Sequence, residues 1–502
     1  MRQPAWTTAD LEAFVPDEAA SRLISRAVAA RYGLAPLSVE DKSITLGMKD
    51  PKDLEALDYV QMVTGLKPRA VAVEDAQIRE LIDRIYGAAD GPAAVSEESV
   101  EALAAQATRN MKVEADGTVE MPVVRLFDRL MSEAVRAGAT DVHVQPQEDE
   151  LQISFRVDGI MRETHRLPAE IALPLATRIK VVASLDISER RLPQDGKISV
   201  FLAGKNVDLR ISTMPTVHGE NVVIRVLQQG KIRLGLEDLG FRPDDMARLR
   251  DIFGRPHGIV LVTGPTGSGK TTTLYAALRE VDTSTLNVMT LEDPVEYRLP
   301  RIRQSQIHER AGMTFARGLR AILRQDPDVI LVGEMRDKET AEIAVRAALT
   351  GHLVLSTLHT NSAIGTLTRL RNMGTEPFLV SATLAGVISQ RLARRVCPHC
   401  REERAATEAE KALLRIESNE PVSVWEGKGC PQCGGFGMKG RIVVYEFLAI
   451  DETLSEAIAR DADAGEIRRL AEQNGFTALR EHATQLVLRG EIPVSAMTRI
   501  VA

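Results

Sequence analysis

Four cysteines and 4 % aromatic residues are little for a chain of 502 residues. No stretch interleaves the few aromatics with basic residues, which counts against a protein that stacks on single-stranded nucleic acid. Positive charge is not in excess either. Lys and Arg total 63 against 70 Asp and Glu, a net charge of −7, so coating nucleic acid is not the expected role. No apolar run approaches the ~20 residues that span a bilayer. The best, "FLVSATLAGVIS" (Phe378–Ser389), is short and partly polar. The opening "MRQPAWTTADLEAF" has no apolar core of a secretory signal. A cytoplasmic protein is expected, with any membrane association through a partner or a surface patch. The cysteines form two C-x-x-C pairs, which in a reducing compartment points to metal before disulfide.

What is present is ordinary globular composition, 44 % hydrophobic and 26 % charged, long enough for three or four domains. Residues 1–88 read as a small N-terminal α/β domain, with helical spacing in "AASRLISRAVAARYG" and a closing amphipathic helix at "IRELIDRIYG". Residues 89–119, rich in Ala, Ser, Gly and Glu, read as a linker holding one weak helix. Residues 120–235 read as a strand-rich α+β domain. Its helix "VVRLFDRLMSEAVRAG" precedes two hairpins, the second with turns expected at Asp195-Gly196 and at Gly204-Lys205-Asn206. From 236 to 502, short wholly apolar strands at 258–264, 286–292, 328–334 and 352–359 alternate with helices. That pattern implies a buried parallel sheet and an α/β fold.

Gly264, Pro265, Thr266, Gly267, Ser268, Gly269, Lys270 and Thr271, followed by Thr272, fit G-x-x-x-x-G-K-[ST] between a strand and a helix. Glycines turn backbone N–H groups toward phosphates, and the helix N-terminus adds partial positive charge. Lys270 is expected on the β and γ phosphates and the Thr271 hydroxyl on Mg²⁺. "DPDVILVGE" reads as a Walker B strand whose acid, Glu334, holds the Mg²⁺ water shell; a purely structural strand-end acid is the bland alternative. "TLEDPVE" sets Glu292, Asp293 and Glu296 at another strand end, where a carboxylate can align the attacking water. "LSTLHTN" sets His359, Thr360 and Asn361 on the same edge, to sense the γ-phosphate or only to hydrogen-bond locally. Cys397, Cys400, Cys430 and Cys433 supply four thiolates for a closed structural zinc site; unliganded or redox-active thiols are the alternative. Arg317, Arg320, Arg324 and Arg336 lie near these motifs, and Arg156, Arg210 and Arg225 lie on or beside strands of the preceding domain. Solvation is the ordinary reading for each, and Arg225 pairing with Glu220 is a further one.

Taken together, "ATDVHVQP", "FRVDG", "GPTGSGKTTTLY", "LEDPVEY", "QDPDVILVGEMRD", "TGHLVLSTLHTN" and "CPHC…CPQC" closely resemble the type II secretion ATPase family. The resemblance is dense from the second domain onward and looser before it; Gln145 departs from it where relatives more often have Glu. It implies a RecA-like P-loop ATPase domain with a zinc-binding insertion at 396–438. Lys270 and Thr271 become the Walker A pair, Glu334 the Walker B acid and Glu292 the water-positioning acid. His359 belongs to the histidine box, and Arg210 and Arg225 are offered to nucleotide in an assembled homo-hexamer. ATP, Mg²⁺ and Zn²⁺ are the implied cofactors. The implied function is a motor for pseudopilus assembly and export of folded proteins. The N-terminal domain would dock on the cytoplasmic part of the inner-membrane L component. The basic "RLARRV" (391–396) offers a contact for acidic phospholipids, or else a solvated or inter-subunit face. The type IV pilus assembly ATPase shares every core motif and is the nearest alternative. A nucleic-acid translocase and a non-hydrolysing switch are disfavoured by charge and by the paired acids Glu292 and Glu334.

Overall fold

A computed structural model describes Asp17, Ala20, Leu23, Ile24, Val28, Ala29 and residues 32–40, 43–86, 99–109, 121–228, 234–417 and 420–501. Most of the first expected helix and of the linker therefore lies outside the described residues, as does the N-terminal stretch read for a signal. The chain divides into two compact units. One comprises Met1–Ala137, Asp141–Phe155 and Arg162–Arg225, and the other Gly138–Thr140, Arg156–Met161 and Val226–Ala502.

The first unit begins with a sheet of β1 (Leu34–Glu40), β2 (Ser43–Met48) and β3 (Lys67–Ala72). β1 and β2 are antiparallel, and β2 and β3 are parallel through the crossover helix α1 (Leu54–Thr64). Asp53 caps α1 by accepting from the Ala56 amide, and Gly65 ends it in the left-handed conformation, φ 68°. The expected closing helix is α2 (Asp75–Tyr86), which lays Ile78, Leu81 and Ile82 into the core with Ile44 and Leu46. The linker's helix is α3 (Val100–Arg109), packed on α4 (Met121–Ala137). His165 ties it down: Nδ1 lies 2.7 Å from Glu101 of α3, and Nε2 lies 3.1 Å from Glu133 of α4.

β4 (Asp141–Pro146), β5 (Glu150–Val157), β6 (Ile160–Pro168), β7 (Gln194–Leu202), β8 (Lys205–Thr216) and β9 (Gly219–Gln228) form a second sheet in the order β6-β5-β4-β9-β8-β7. The first predicted hairpin is β4–β5. The second differs from expectation at both turns. Asp195-Gly196 is not a turn but lies inside β7, where Gly196 pairs with Ile211 of β8. A Cβ on Gly196 would meet the Ala183 carbonyl at 3.0 Å, so the glycine serves a close approach rather than a bend. The other turn is Ala203-Gly204, both at positive φ, 48° and 76°, rather than Gly204-Lys205-Asn206, because Lys205 and Asn206 already pair with Leu202 and Phe201 of β7. α5 (Ala172–Val182) covers this region. Its Lys180, 1 % exposed, pairs with the buried Glu220 and donates to the Glu189 carbonyl at 2.8 Å. Glu220 is thus committed to Lys180, and Arg225 instead reaches Asp141 at 3.3 Å.

In the second unit, α6 (Pro243–Phe253) leads to β10 (Gly258–Thr263) and α7 (Lys270–Glu280). β11 (Val288–Glu292) and β12 (Arg303–Gln306) follow, then α8 (Phe315–Ile322), β13 (Val329–Val332), α9 (Lys338–Leu349), β14 (Leu353–Leu358), α10 (Ala363–Asn372) and α11 (Pro377–Thr383). β15 (Leu384–Val396) completes the core, so the longest apolar stretch is split between a helix and a strand. With β18 (Met438–Ala449) these strands form a sheet ordered β12-β11-β13-β14-β10-β15-β18, parallel except where β18 meets β15. The apolar runs are buried on both faces by period-two alternation. Ile259, Leu261, Ile330 and Val332 point into one core, and Val260, Val262, Val329 and Leu331 into the other. Because the central strands are parallel, their carboxyl ends share one edge.

Candidate nucleotide site and tetrathiolate centre

The Gly264–Thr271 loop leaves the carboxyl end of β10, between β14 and β15, and enters α7 at Lys270. Gly264, Gly267 and Gly269 hold φ of 143°, 78° and 89°, conformations that side-chain-bearing residues rarely adopt. The Lys270 ammonium donates to the carbonyls of Gly264 and Pro265 at 2.9 and 3.1 Å. Burial pulls its pKa down, Glu334 opposes that, and the Arg391 charge adds to it. Thr271 is exposed on the first turn of α7. The Thr263, Ser268 and Ser389 hydroxyls are buried and have no hydrogen-bond partner among the described residues. Orphaned hydroxyls around a glycine loop at a helix N-terminus suit a polar, anionic ligand, and the donor set fits a nucleotide phosphate with its Mg²⁺.

Three neighbouring strand ends bring acids and bases to this edge. Glu334, two residues beyond β13, pairs with Arg336, which also stands 3.8 Å from Asp293 after β11. His359, just beyond β14, puts Nε2 3.4 Å from the other Glu334 oxygen. Asn361 accepts from the Arg391 guanidinium through its carbonyl at 3.3 Å and through Oδ1 at 3.2 Å. Thr360 bonds Thr366 and turns toward α10. Lys270, Glu334, Arg336 and His359 are thus gathered together.

Glu292 is placed differently. It is 3 % exposed at the end of β11 and accepts from the Tyr275 hydroxyl, from Thr290 at 2.5 Å and from Gln304 at 3.2 Å. Burial pushes the Tyr275 hydroxyl pKa far up, so it stays a donor. The Glu292 carboxylate is fully committed to this buried network. Of the other arginines in the second unit, Arg320 pairs with Glu339 at 2.5 Å, Arg324 donates to the Arg320 carbonyl and Arg317 to the Gly312 carbonyl. Arg156 donates to the Gly159 carbonyl. In the basic 391–396 stretch Arg395 is exposed, and Arg391 and Arg394 are half-buried. Arg391 turns to Asn361, and Arg395 pairs with Glu491 at 3.0 Å.

Two residues near the loop escape any motif. Gln390, wholly buried on β15, holds the loop from behind, and Arg391 is the second cation beside Lys270. In the sequence Gln390 falls between the apolar run 378–389 and the basic stretch 391–396, and neither pattern points to the phosphate loop.

The four cysteines converge, with all Sγ atoms within 4.8 Å of one another. Cys397 and Cys430 lie 3.9 Å apart, Cys400 and Cys433 3.9 Å, and Cys430 and Cys433 3.7 Å. Zn–S bonds of about 2.3 Å make a tetrahedron with edges of about 3.8 Å, so these three spacings match those of a zinc tetrathiolate. Burial works against ionisation, yet N–H groups of Cys430 and Gly437 and the neighbouring thiols hold Cys433 down at about 6. Burial pushes Cys400 up to about 12. Glycines let the knuckles touch: a Cβ on Gly427 would stand 1.9 Å from the Gly437 carbonyl oxygen. The segment between the pairs is not a pendant loop. β16 (Arg401–Ala405) and β17 (Ser423–Gly427) pair around a helix, Glu408–Leu414. Ala406, Leu414 and Val424 share a core with Ile442, Ala483, Leu486 and Met497.

A protein-family model described as Type II/IV secretion system protein matches residues 116–499, and one described as MshEN domain matches residues 3–92. The Type II secretion system protein E of Pseudomonas aeruginosa is 42 % identical over 498 residues, covering 98 % of this chain and 99 % of that protein. The Type II secretion system ATPase E of Vibrio cholerae serotype O1 is 44 % identical over 438 residues, 86 % of this chain and 84 % of that one. The Type IV pilus assembly ATPase PilB of Myxococcus xanthus is 41 % identical over 481 residues, 93 % and 84 % respectively. Among solved structures, the pilus retraction motor PilT with bound ADP aligns with a TM-score of 0.52 at 26 % identity, over 74 % of this chain and 96 % of that one. The Legionella pneumophila ATPase DotB aligns with a TM-score of 0.56 at 23 % identity, over 75 % and 95 %, a likeness of fold. No helix among the described residues is long and apolar enough to cross a membrane.

Proposed function

The chain belongs to the type II/IV secretion system protein family, and from that premise we propose that it is an ATP-hydrolysing motor that drives pseudopilus assembly and export of folded proteins by type II secretion. One observation carries the chemistry: a glycine loop ending at Lys270 lies on the strand edge that gathers Glu334, Arg336 and His359. The type II reading over the pilus one is supported by identity: the two type II secretion relatives are 42 % and 44 % identical, against 41 % for the Myxococcus pilus ATPase.

In this reading the loop amides and Lys270 hold the ATP phosphates. Thr271 and Glu334 hold Mg²⁺, which supplies charge stabilisation to the transferred phosphoryl group. Glu334 is the acid already facing Lys270. Glu292 remains the proposed water-positioning acid, a role that requires it to release Tyr275 or Gln304. Arg210 and Arg225 are proposed to complete a neighbour's site in a homo-hexamer. The zinc is structural. Residues 1–88 are proposed to recruit the motor to the L component at the inner membrane.

Steady-state ATPase assays on purified protein, with and without single-stranded DNA, test the activity. DNA-independent turnover that falls to background in a folded Lys270→Ala protein is expected. Secretion and pilus assembly in a strain lacking the gene test the coupling. Loss of pili with intact secretion would reassign the motor to pilus extension.

A further inference from the structure

Gln390 lies on β15, outside every nucleotide-binding motif, yet it touches the phosphate loop at several points. The Thr273 hydroxyl donates to its Oε1 at 2.9 Å, and its Nε2 donates to the Ser268 carbonyl at 2.8 Å. These partners flank Gly269 and Lys270, where the chain leaves a left-handed turn and enters α7. A Cβ on Gly269 would stand 3.2 Å from Nε2, and one on Gly264 would stand 2.4 Å from the Gln390 carbonyl oxygen. One buried residue therefore closes against the glycines at both ends of the loop. Its side-chain bonds use neither the Lys270 ammonium nor the amides opening α7, the groups that phosphates need.

The chemistry calls for an amide. One side-chain end must accept from Thr273 and donate to Ser268 where both Gln390 and Thr273 are wholly buried. Leucine would leave a hydroxyl and a carbonyl unpaired, and an ionised glutamate would set an acceptor against an acceptor. The next residue extends the contact. Arg391 donates to the Gln390 carbonyl at 3.1 Å and to Asn361, so the same point of β15 is tied to the strand end carrying His359.

We propose that Gln390 is a positioning residue for the nucleotide, a brace that holds the phosphate loop open at the aperture a diphosphate needs. This rests on the nucleotide-site reading above. Without the brace the loop relaxes around Gly269, and phosphate binding must first restore its shape.

Binding of Mg²⁺–ADP to the full chain, measured by titration calorimetry on wild type, Gln390→Leu, Gln390→Glu and Thr273→Val, tests it. Folded Gln390→Leu is expected to bind ADP about tenfold more weakly, the effect of two lost buried hydrogen bonds, and Thr273→Val less so. Gln390→Glu is expected to bind weakly at pH 8 and to recover toward wild type as pH falls, because the protonated carboxyl regains a donor for Ser268. A merely structural residue would lower the melting temperature without that pH response. If Gln390→Leu does not fold, Gln390→Glu decides. Wild-type affinity in either folded variant, or a Gln390→Glu defect indifferent to pH, overturns the brace. Wild-type protein that binds no ADP overturns the nucleotide reading itself.

Discussion

Glu334 and His359 meet across the ends of adjacent parallel strands, with Nε2 of the imidazole 3.4 Å from Oε2 of the carboxylate. Arg336 holds the other carboxylate oxygen. The acid assigned to Mg²⁺ is thus oriented from both sides. Removing the imidazole in His359→Ala is expected to lower ATP turnover roughly tenfold to a hundredfold, the effect of losing one of the two groups that flank the Glu334 carboxylate, with a smaller change in KM. His359→Gln, which keeps a donor, is expected to recover part of it. Turnover in His359→Ala equal to wild type would reduce the residue to local hydrogen bonding.

Metal analysis of freshly reduced, chelator-free protein is expected to find about one zinc per chain. Cys397→Ser or Cys430→Ser should lower that content. Because the module shares a core with the C-terminal helices, proteolysis should then open residues 396–438 and the helices near Leu486 together. Zinc-free wild type would reject the site.

His482 gives stability a pH dependence. Burial, helped by the Arg242 charge, pulls its pKa down from the ordinary 6.5 to about 4, and the Tyr445 amide donates to Nδ1 at 3.1 Å. A histidine kept neutral in the fold binds its proton mainly when unfolded. Its contribution is full above pH 6.5 and is lost as pH falls toward 4, about 3 kcal/mol in all. The urea midpoint of the ATPase domain should drop between pH 7.5 and 5, and His482→Gln should flatten that drop. Parallel profiles for the two proteins would exclude His482 as the cause.

Deleting residues 1–88 is expected to leave measurable basal ATPase activity and to abolish recruitment to the inner membrane. The sheet of β1–β3 closes its own core with α1 and α2, so its removal does not open the ATPase core. A truncated protein that still fractionates with its membrane partner would contradict the docking role.

Mixed rings test the donated arginines. Arg210→Ala removes the donor and Glu334→Gln disables the receiver, so each alone should be nearly inactive. An arginine supplied by a neighbour is worth about 10³–10⁵ in rate. Rings containing both variants hold some sites with both parts intact, and activity should partly return. Verified mixed hexamers that stay inactive would remove donation between subunits and leave the motor assignment standing.

The sequence by itself determined whatever is local or periodic. The glycine loop, the wholly apolar strands and the cysteine spacing each state a requirement that neighbouring residues meet together, so the parallel sheet, the phosphate loop and the thiolate cluster were legible before folding. Tertiary structure decided what depends on residues distant in the chain. Asp195-Gly196 reads as a turn by composition, but pairing with Ser212 and Ile211 of β8 makes it strand, and the nearby Ala183 carbonyl favours glycine there. Glu292 and Glu334 look alike as strand-end acids, and only packing against Tyr275 and Gln304 buries the first while Arg336 and His359 orient the second. Gln390 is a polar residue in an apolar strand until the fold sets it 2.8 Å from a carbonyl 122 positions earlier. A hydrogen bond across that separation leaves no periodic trace, because its geometry exists only once β10 and β15 lie side by side.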